Sequence, residues 1–204
     1  MQDKNFWDDI YRKGLTPWTD AKRDYCMFQQ IVQDTKVAPQ MKVLDYGCAE
    51  GTIGEHLLNM GIRVDFSEIS EIPVEILRKK FGDISKVFLA TEPKEIDGKY
   101  DLIVCCCVLH HIEKEKWYDF LLQFKGLLRG NGLLWLAGFD KNDKTTERNQ
   151  GKFLATSDTC QFISEIVPIA ETCEFEVISN YAKDIPNATL GTSFTTRFIC
   201  LRLR

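Results

Sequence analysis

Apolar positions change rhythm repeatedly along the chain. Short runs rich in aliphatic residues at Lys42–Tyr46, Arg63–Glu68, Lys86–Ala90, Tyr100–Cys107 and Leu133–Phe139 read as strands. Between them apolar residues recur at helical spacing. Tyr25, Phe28, Ile31 and Val32 precede the first strand, and Ile53, Leu57 and Met60 follow it. Val74, Leu77 and Phe81 come next, then Trp117, Phe120, Leu121, Phe124, Leu127 and Leu128, a stripe that predicts core. Strand alternating with helix predicts a parallel sheet covered on both faces and wound by right-handed crossovers.

Boundary residues support this partition. Thr52 followed by Glu55 predicts a capping box at the first crossover helix, which Gly61 closes. Pro73 falls in the first turn of the next helix, and Gly130 and Gly132 end the long helix before the fifth strand. Asp140 to Thr159 is polar and aperiodic, which predicts a functional or mobile loop. It would border a ligand pocket, as loops at strand C-termini do; its Lys141, Lys144, Arg148 and Lys152 either attract an acidic ligand or are merely solvated, the second being the simpler reading. Phe162, Ile163, Ile166 and Val167 share a helical face, and runs near Phe175–Tyr181 and Phe194–Leu203 can pair as an antiparallel hairpin. Without a repeat, low-complexity tract or linker, residues 1–204 are expected to form one domain, with 1–36 as an N-terminal cap segment and first helix.

Composition narrows the class. Hydrophobic residues make up 44% and charged residues 27% of the chain, and the formal net charge is −4, so no global basic field favours nucleic acid. No apolar run reaches the length of a membrane span, and Met1 to Asp9 is too polar for a signal peptide. Eight cysteines, three of them consecutive at Cys105–Cys107, fit neither a disulfide framework nor a zinc site, and no metal is expected. Neighbouring cysteines on a strand point to opposite faces and do not bridge normally. The expected compartment is a reducing cytoplasm.

The segment with most chemistry is Val43-Leu44-Asp45-Tyr46-Gly47-Cys48-Ala49-Glu50-Gly51-Thr52: a strand, an acid, a glycine-flanked turn, then a helix start. Glycine permits positive φ and close approach to a ligand, and the helix start offers free N–H groups. Arg63–Glu68 also ends in an acid, where a carboxylate can accept from both ribose hydroxyls. A dinucleotide fingerprint needs three glycines, but the matching positions are Gly47, Ala49 and Thr52. An acid opening the turn suits a nucleoside with a cationic tail better than a pyrophosphate.

In this order the motifs resemble the class I S-adenosylmethionine-dependent methyltransferases, small-molecule type. Val43 to Gly51 resembles their first motif and Val64-Asp65-Phe66-Ser67-Glu68-Ile69-Ser70 their second. Tyr100–Val104 through Val108-Leu109-His110-His111-Ile112 resembles their fourth strand and following turn, and Asn131-Gly132-Leu133-Leu134 their entry to the fifth. Phe6-Trp7-Asp8 to Tyr11 and Pro17-Trp18 resemble the aromatic segment that covers the cofactor in several small-molecule members. The pattern is broken in two places: Ala49 replaces a usual glycine, and Thr91 and Glu92 stand where an acid usually contacts adenine.

The resemblance implies a doubly wound, Rossmann-like α/β fold with a seven-stranded, mostly parallel sheet and an antiparallel C-terminal hairpin strand. It implies S-adenosylmethionine as cofactor, S-adenosylhomocysteine as product, and methyl transfer to oxygen or nitrogen of a small-molecule acceptor. Asp45 would anchor the methionine end; Gly47, Cys48 and Gly51 would let the backbone pass the cofactor. Glu68 would hold the ribose, Ile69 would lie against adenine, and Thr91 and Glu92 would lie near its edge. The backbone around Cys106 would face the methionine portion, and Tyr11 and Trp18 would close the site. His110 and His111 follow the fourth strand at the reacting edge, where imidazole can act as a base for a hydroxyl or amine; the bland alternative is a packed, backbone-bonded pair. His56 reads as structural. No Asn-Pro-Pro-Tyr-like run follows the fourth strand, which lowers base methylation. An RNA or protein methyltransferase, or a non-catalytic S-adenosylmethionine-binding regulator, stand as the alternatives.

Overall fold

The computed structural model describes residues 4–16, 19–140, 163–188 and 191–204. Seven strands form one sheet in the order β3-β2-β1-β4-β5-β7-β6. They are β1 (Lys42–Tyr46), β2 (Arg63–Glu68), β3 (Val87–Leu89), β4 (Tyr100–Cys106), β5 (Leu128–Phe139), β6 (Phe175–Asn187) and β7 (Thr192–Leu203). The first five run parallel, and β7 joins β5 and β6 antiparallel. Helices are α1 (Lys4–Arg12), α2 (Ala21–Thr35), α3 (Thr52–Asn59), α4 (Glu71–Phe81), α5 (Trp117–Leu127) and α6 (Val167–Thr172). The doubly wound sheet and its C-terminal hairpin match the sequence expectation.

Both sheet faces are apolar, so strand alternation divides the core in two. Leu44, Ile103, Cys105, Leu134 and Leu136 pack with Trp117, Phe120 and Phe124 of α5. Val43, Val64, Phe66, Val104 and Trp135 pack with Met27 and Ile31 of α2, Leu57 of α3 and Leu77 of α4. Trp117 is fully buried and donates its indole N–H to the Leu109 and Ile112 carbonyls at 3.2 and 3.1 Å. It thereby ties α5 to the turn carrying the two histidines. On the other face Asp34 accepts from Trp135 at 3.0 Å and from Tyr181 at 2.9 Å, fastening α2 to β5 and β6.

Several boundaries differ from the sequence reading. The predicted capping box is absent: Gly51, at φ +78, is the N-cap of α3, with no side-chain cap bond. Asp45 does the work from β1, accepting the Gly54 N–H at 2.9 Å. β5 begins at Leu128, so Gly130 and Gly132 lie inside the strand, where Asn131 takes φ +62. β6 runs through Pro186 and Asn187, beyond the Phe175–Tyr181 run that the sequence marks; as an edge strand it tolerates proline. The loop lysines and Arg148 fall outside the described residues, as do Pro17 and Trp18. No helix among the described residues is long and apolar enough to cross a membrane.

Candidate active site

The site lies at the C-terminal ends of β1, β2 and β4, where parallel strands deliver their loops to one edge. A cavity of about 230 Å³ opens there, lined from β1 by Asp45, Gly47 and Cys48, from β2 by Glu68 and Ile69, and from β4 by Cys106 and Cys107. Thr91, His110 and His111 also line it, as do Trp7 and Tyr11 of α1.

The turn after β1 is stapled to β2. Gly47 and Cys48 donate to the Ser67 carbonyl at 2.8 and 3.2 Å. Gly47 sits at φ +66, and a Cβ there would come within 2.3 Å of Val108, so its bareness admits the loop after β4. Ala49 takes φ +51, a left-handed conformation that costs a side chain about 1 kcal/mol. Its N–H donates to Glu68 Oε2 at 2.9 Å, which offsets that strain. Glu68 Oε1 accepts from the Ile69 and Ser70 N–H groups at 2.8 and 3.3 Å. Glu68 is therefore first a clamp joining the two loops, and its burial, which raises its pKa, is opposed by these three donors. Burial also lifts the Asp45 carboxyl to about 7, against the Gly54 N–H and with Asp24 and Glu68 adding repulsion.

The cap helix is held by a carboxylate. Asp8 Oδ1 accepts from the Ser70 hydroxyl at 2.6 Å and the Glu71 N–H at 2.9 Å, capping α4 from α1. Lys4 bridges to Glu71 at 2.8 Å. Because Trp7 neighbours Asp8 and Tyr11 follows one turn later, this anchor faces both rings to the cavity. Trp7 packs edge-on against His111, with centroids 4.9 Å apart.

The two histidine rings are in tilted contact, His110 buried and His111 half-buried. Their ring centroids lie 4.1 Å apart, and Phe139 lies 4.6 Å from His110. Burial depresses His110 well below the usual imidazole range and His111 to about 4, so both are neutral near pH 7. His110 is 2% exposed, and its Nδ1 has no hydrogen-bond partner among the described residues. Ser67 Oγ, also in the cavity lining, is likewise buried without one. Two such orphans in one lining are what a polar ligand resolves.

Two expected residues stand elsewhere. Gly51 does not line the cavity; a Cβ there would strike Leu77 at 2.6 Å and Phe66 at 3.1 Å, so its bareness serves α4 and β2 packing. Glu92 is also outside the lining and pairs with Lys94. Trp18 lies outside the described residues.

Sequence reasoning missed others. Arg23 and Asp24, in the first turn of α2, line the cavity and pair at 2.8 Å. Met27, Phe139, Ile185, Asn187, Phe194 and Thr196 form a second wall from α2, β5, β6 and β7. No motif marks them; only the start signal of α2, Asp20 capping the Arg23 N–H at 2.8 Å, was readable.

The ends of β1, β2 and β4 and the loops that follow them fall within residues 44–134, which match the profile of a family described as "Methyltransferase domain". Over that segment the chain resembles the class I S-adenosylmethionine-dependent methyltransferases. The mitochondrial ubiquinone biosynthesis O-methyltransferase of Schizosaccharomyces pombe is 26% identical over 195 residues, covering 89% of this chain and 67% of that protein. The chain spans 63% of the ubiquinone biosynthesis O-methyltransferase of Histophilus somni. In fold, the chain resembles magnesium protoporphyrin IX methyltransferase from Synechocystis, solved with bound S-adenosylhomocysteine. The TM-score is 0.73 at 18% identity, with 100% of both chains covered. Burkholderia thailandensis 1,6-didemethyltoxoflavin-N1-methyltransferase, also solved with S-adenosylhomocysteine, gives a TM-score of 0.76 at 17% identity, over 98% of this chain and 86% of that chain.

Proposed function

We propose that this chain transfers a methyl group from S-adenosylmethionine to an oxygen or nitrogen of a small-molecule acceptor. The observation that carries the reading is one cavity bounded by the acid-tipped ends of β1 and β2 and by His110, whose buried Nδ1 lacks a partner among the described residues. The residues fit the cofactor's chemistry. Asp45 and Asp24 suit an ammonium, Arg23 a carboxylate, Glu68 a pair of hydroxyls, and Ile69 and Thr91 an adenine edge. S-adenosylmethionine supplies, when bound, a methyl group activated by the positive charge on its sulfur.

What remains for the protein is to bind, align and exclude water. Trp7 and Tyr11, anchored through Asp8, cover the cavity from α1. Met27, Phe139, Ile185 and Phe194 offer an apolar wall to the acceptor, a form that suits a small molecule better than a polymer. Fixing the acceptor in line can supply up to about 7–11 kcal/mol in the best model systems. Neutral His110 can take the acceptor's proton at Nδ1, and a positioned base contributes roughly 10²–10⁴-fold. The names of the relatives, which describe O-methyltransferases of small molecules, support an oxygen acceptor. The free thiols among the described cysteines support a reducing, cytoplasmic setting.

Calorimetry with S-adenosylmethionine, S-adenosylhomocysteine and NAD tests the cofactor, and a labelled-methyl assay over phenols and amines tests the acceptor. His110→Gln should lower kcat by roughly 10²-fold or more while leaving S-adenosylhomocysteine affinity within about twofold. Preferential NAD binding would overturn the reading; an unchanged kcat would remove His110 as base.

A further inference from the structure

The run Cys105–Cys107 takes no part in the reaction derived above, yet two of its thiols open on the same cavity. Strand alternation buries Cys105 in the α5 face of the core at 1% exposure. Cys106 is half-buried on the other face, where β4 ends. Cys107 leaves the strand at φ +58, held by its N–H on the Ala137 carbonyl at 2.8 Å. Alternation therefore fails at this one step, and the two Sγ atoms lie 3.9 Å apart, with the Cys106 thiol donating to Cys107. A strand-based expectation that neighbouring cysteines face apart does not hold here.

The surroundings favour a thiolate on Cys107. The Cys106 donor lowers its pKa against the cost of burial, and Arg23 acts in the same direction. Asp24 opposes, while His110 and His111, the other titratable groups on the neighbouring loop, are neutral. Cys48, the third thiol in the lining, is raised well above the usual range by burial and the nearby acids. Thiolate nucleophilicity with access to solvent is what makes a cysteine oxidisable.

We propose that Cys107, with Cys106 as its resolving partner, is a modification site for small peroxides inside the cofactor cavity, and that the oxidised pair obstructs cofactor binding. The Cys107 sulfur attacks one peroxide oxygen, the O–O bond breaks, and the departing hydroxide takes a proton to become water. Cys107 then carries S–OH. The Cys106 sulfur loses its proton and attacks the Cys107 sulfur; the S–O bond breaks and a second water leaves. Two thiols and one hydrogen peroxide thus give one disulfide and two waters. Cα atoms of consecutive residues are about 3.8 Å apart, below the usual disulfide span, so the bond is strained and a dithiol reverses it readily. The oxidation stands on the thiol geometry alone; its effect on cofactor rests on the function proposed above.

The test uses the full chain, reduced, dosed with hydrogen peroxide, digested with trypsin and weighed. The peptide between cleavages after Lys99 and Lys114 carries Cys105, Cys106 and Cys107. It should lose two hydrogens at doses that leave the Cys26 and Cys173 peptides unchanged, and dithiothreitol should restore it. Cys106→Ser should stop at a sulfenic acid captured by dimedone, and Cys107→Ser should lose the reaction. Saturating S-adenosylhomocysteine, at about 100 times its Kd, should slow the wild-type oxidation by up to ~100-fold. Uniform oxidation of all cysteines, a Cys107→Ser chain that reacts at the wild-type rate, or a bound ligand that gives no protection would each overturn the proposal. Failure of S-adenosylhomocysteine to bind the untreated protein would instead strike the cofactor reading, with the mass shift still deciding the thiol site.

Discussion

Replacing Glu68 with glutamine separates the clamp from the ligand contact. In the wild type, Oε1 accepts from Ile69 and Ser70 at 2.8 and 3.3 Å, and Oε2 accepts from Ala49 at 2.9 Å. Glutamine keeps one oxygen for the first two donors but turns an NH₂ toward the Ala49 N–H. One charge-assisted bond, worth about 1.5–3 kcal/mol, becomes a donor–donor contact. Against that, removing a buried charge relieves desolvation, the cause that raises the Glu68 pKa. The net effect on folding should be about 1–2 kcal/mol, since these N–H groups border a cavity that water can enter.

Cofactor affinity should fall further. A ribose hydroxyl bonded to carboxylate rather than amide gains about 1.5–3 kcal/mol, or roughly 10- to 150-fold in Kd. Both S-adenosylmethionine and S-adenosylhomocysteine carry the ribose, so calorimetry should show equal losses for the two. Urea melts on the same samples give the folding term. Glu92→Gln serves as control, because Glu92 lies outside the cavity lining. If Glu68→Gln lost stability yet bound both ligands within about threefold of wild type, Glu68 would be a loop clamp and nothing more.

Asp45→Asn should change the pH dependence of stability. The folded carboxyl titrates at about 7 and the unfolded one at roughly 4, so the native state keeps a proton that the unfolded state has lost, and wild-type stability falls as pH rises through that window. The advantage of Asn over Asp in urea melts should grow by up to ~4 kcal/mol between pH 4 and pH 7.5, histidine effects cancelling in the difference; parallel curves would refute it. Asp8→Ala removes the anchor of α1 and the cap of α4, costing about 1 kcal/mol in thermal melts and weakening S-adenosylhomocysteine binding, while Asp8→Asn retains most of both. Trp117→Ala deletes a fully buried side chain and should cost roughly 3–5 kcal/mol in chemical denaturation, with the histidine turn loosened as its two indole contacts vanish.

The fold was legible because this sheet is apolar on both faces and its helices are not. Val43 and Leu44 enter opposite cores, as do Ile103 and Val104, so each strand reads as a short continuous apolar run. The cavity edge was legible because Asp45, Gly47, Glu68 and Ile69 lie at or just past the ends of their strands. What failed was anything that depended on a partner distant in sequence. Gly51 looked like a ligand glycine because its Leu77 and Phe66 neighbours are invisible locally. Thr52 looked like a cap because Asp45, which reaches Gly54 from the preceding strand, is not an expected capping position. The second wall of the cavity is written in β5, β6 and β7, whose alternation records only that one face is buried. That Ile185 and Phe194 also line a cavity depends on the elements packed beside the hairpin.

The charge in the cavity carries its own argument about the ligand. Asp24, Asp45, Glu50 and Glu68 line it, and Arg23 is the one lysine or arginine among the described lining residues, so full ionisation leaves a formal −3, from four acids against one base. The neutral histidines do not reduce it. Burial already pushes the Asp24, Asp45 and Glu68 pKa values upward, and Asp24 and Glu68 add repulsion at Asp45. A pyrophosphate placed here would add negative charge to carboxylates that can scarcely ionise together, whereas an ammonium and a sulfonium would relieve them. The same field distinguishes substrate from product: methyl transfer removes the sulfur's positive charge, so S-adenosylhomocysteine keeps only the ammonium to balance these acids. Product should therefore gain less affinity than S-adenosylmethionine as pH rises from 6 to 8 and Asp45 ionises. A ratio of the two Kd values that stays constant across that range would show that the carboxylates do not act on the sulfur.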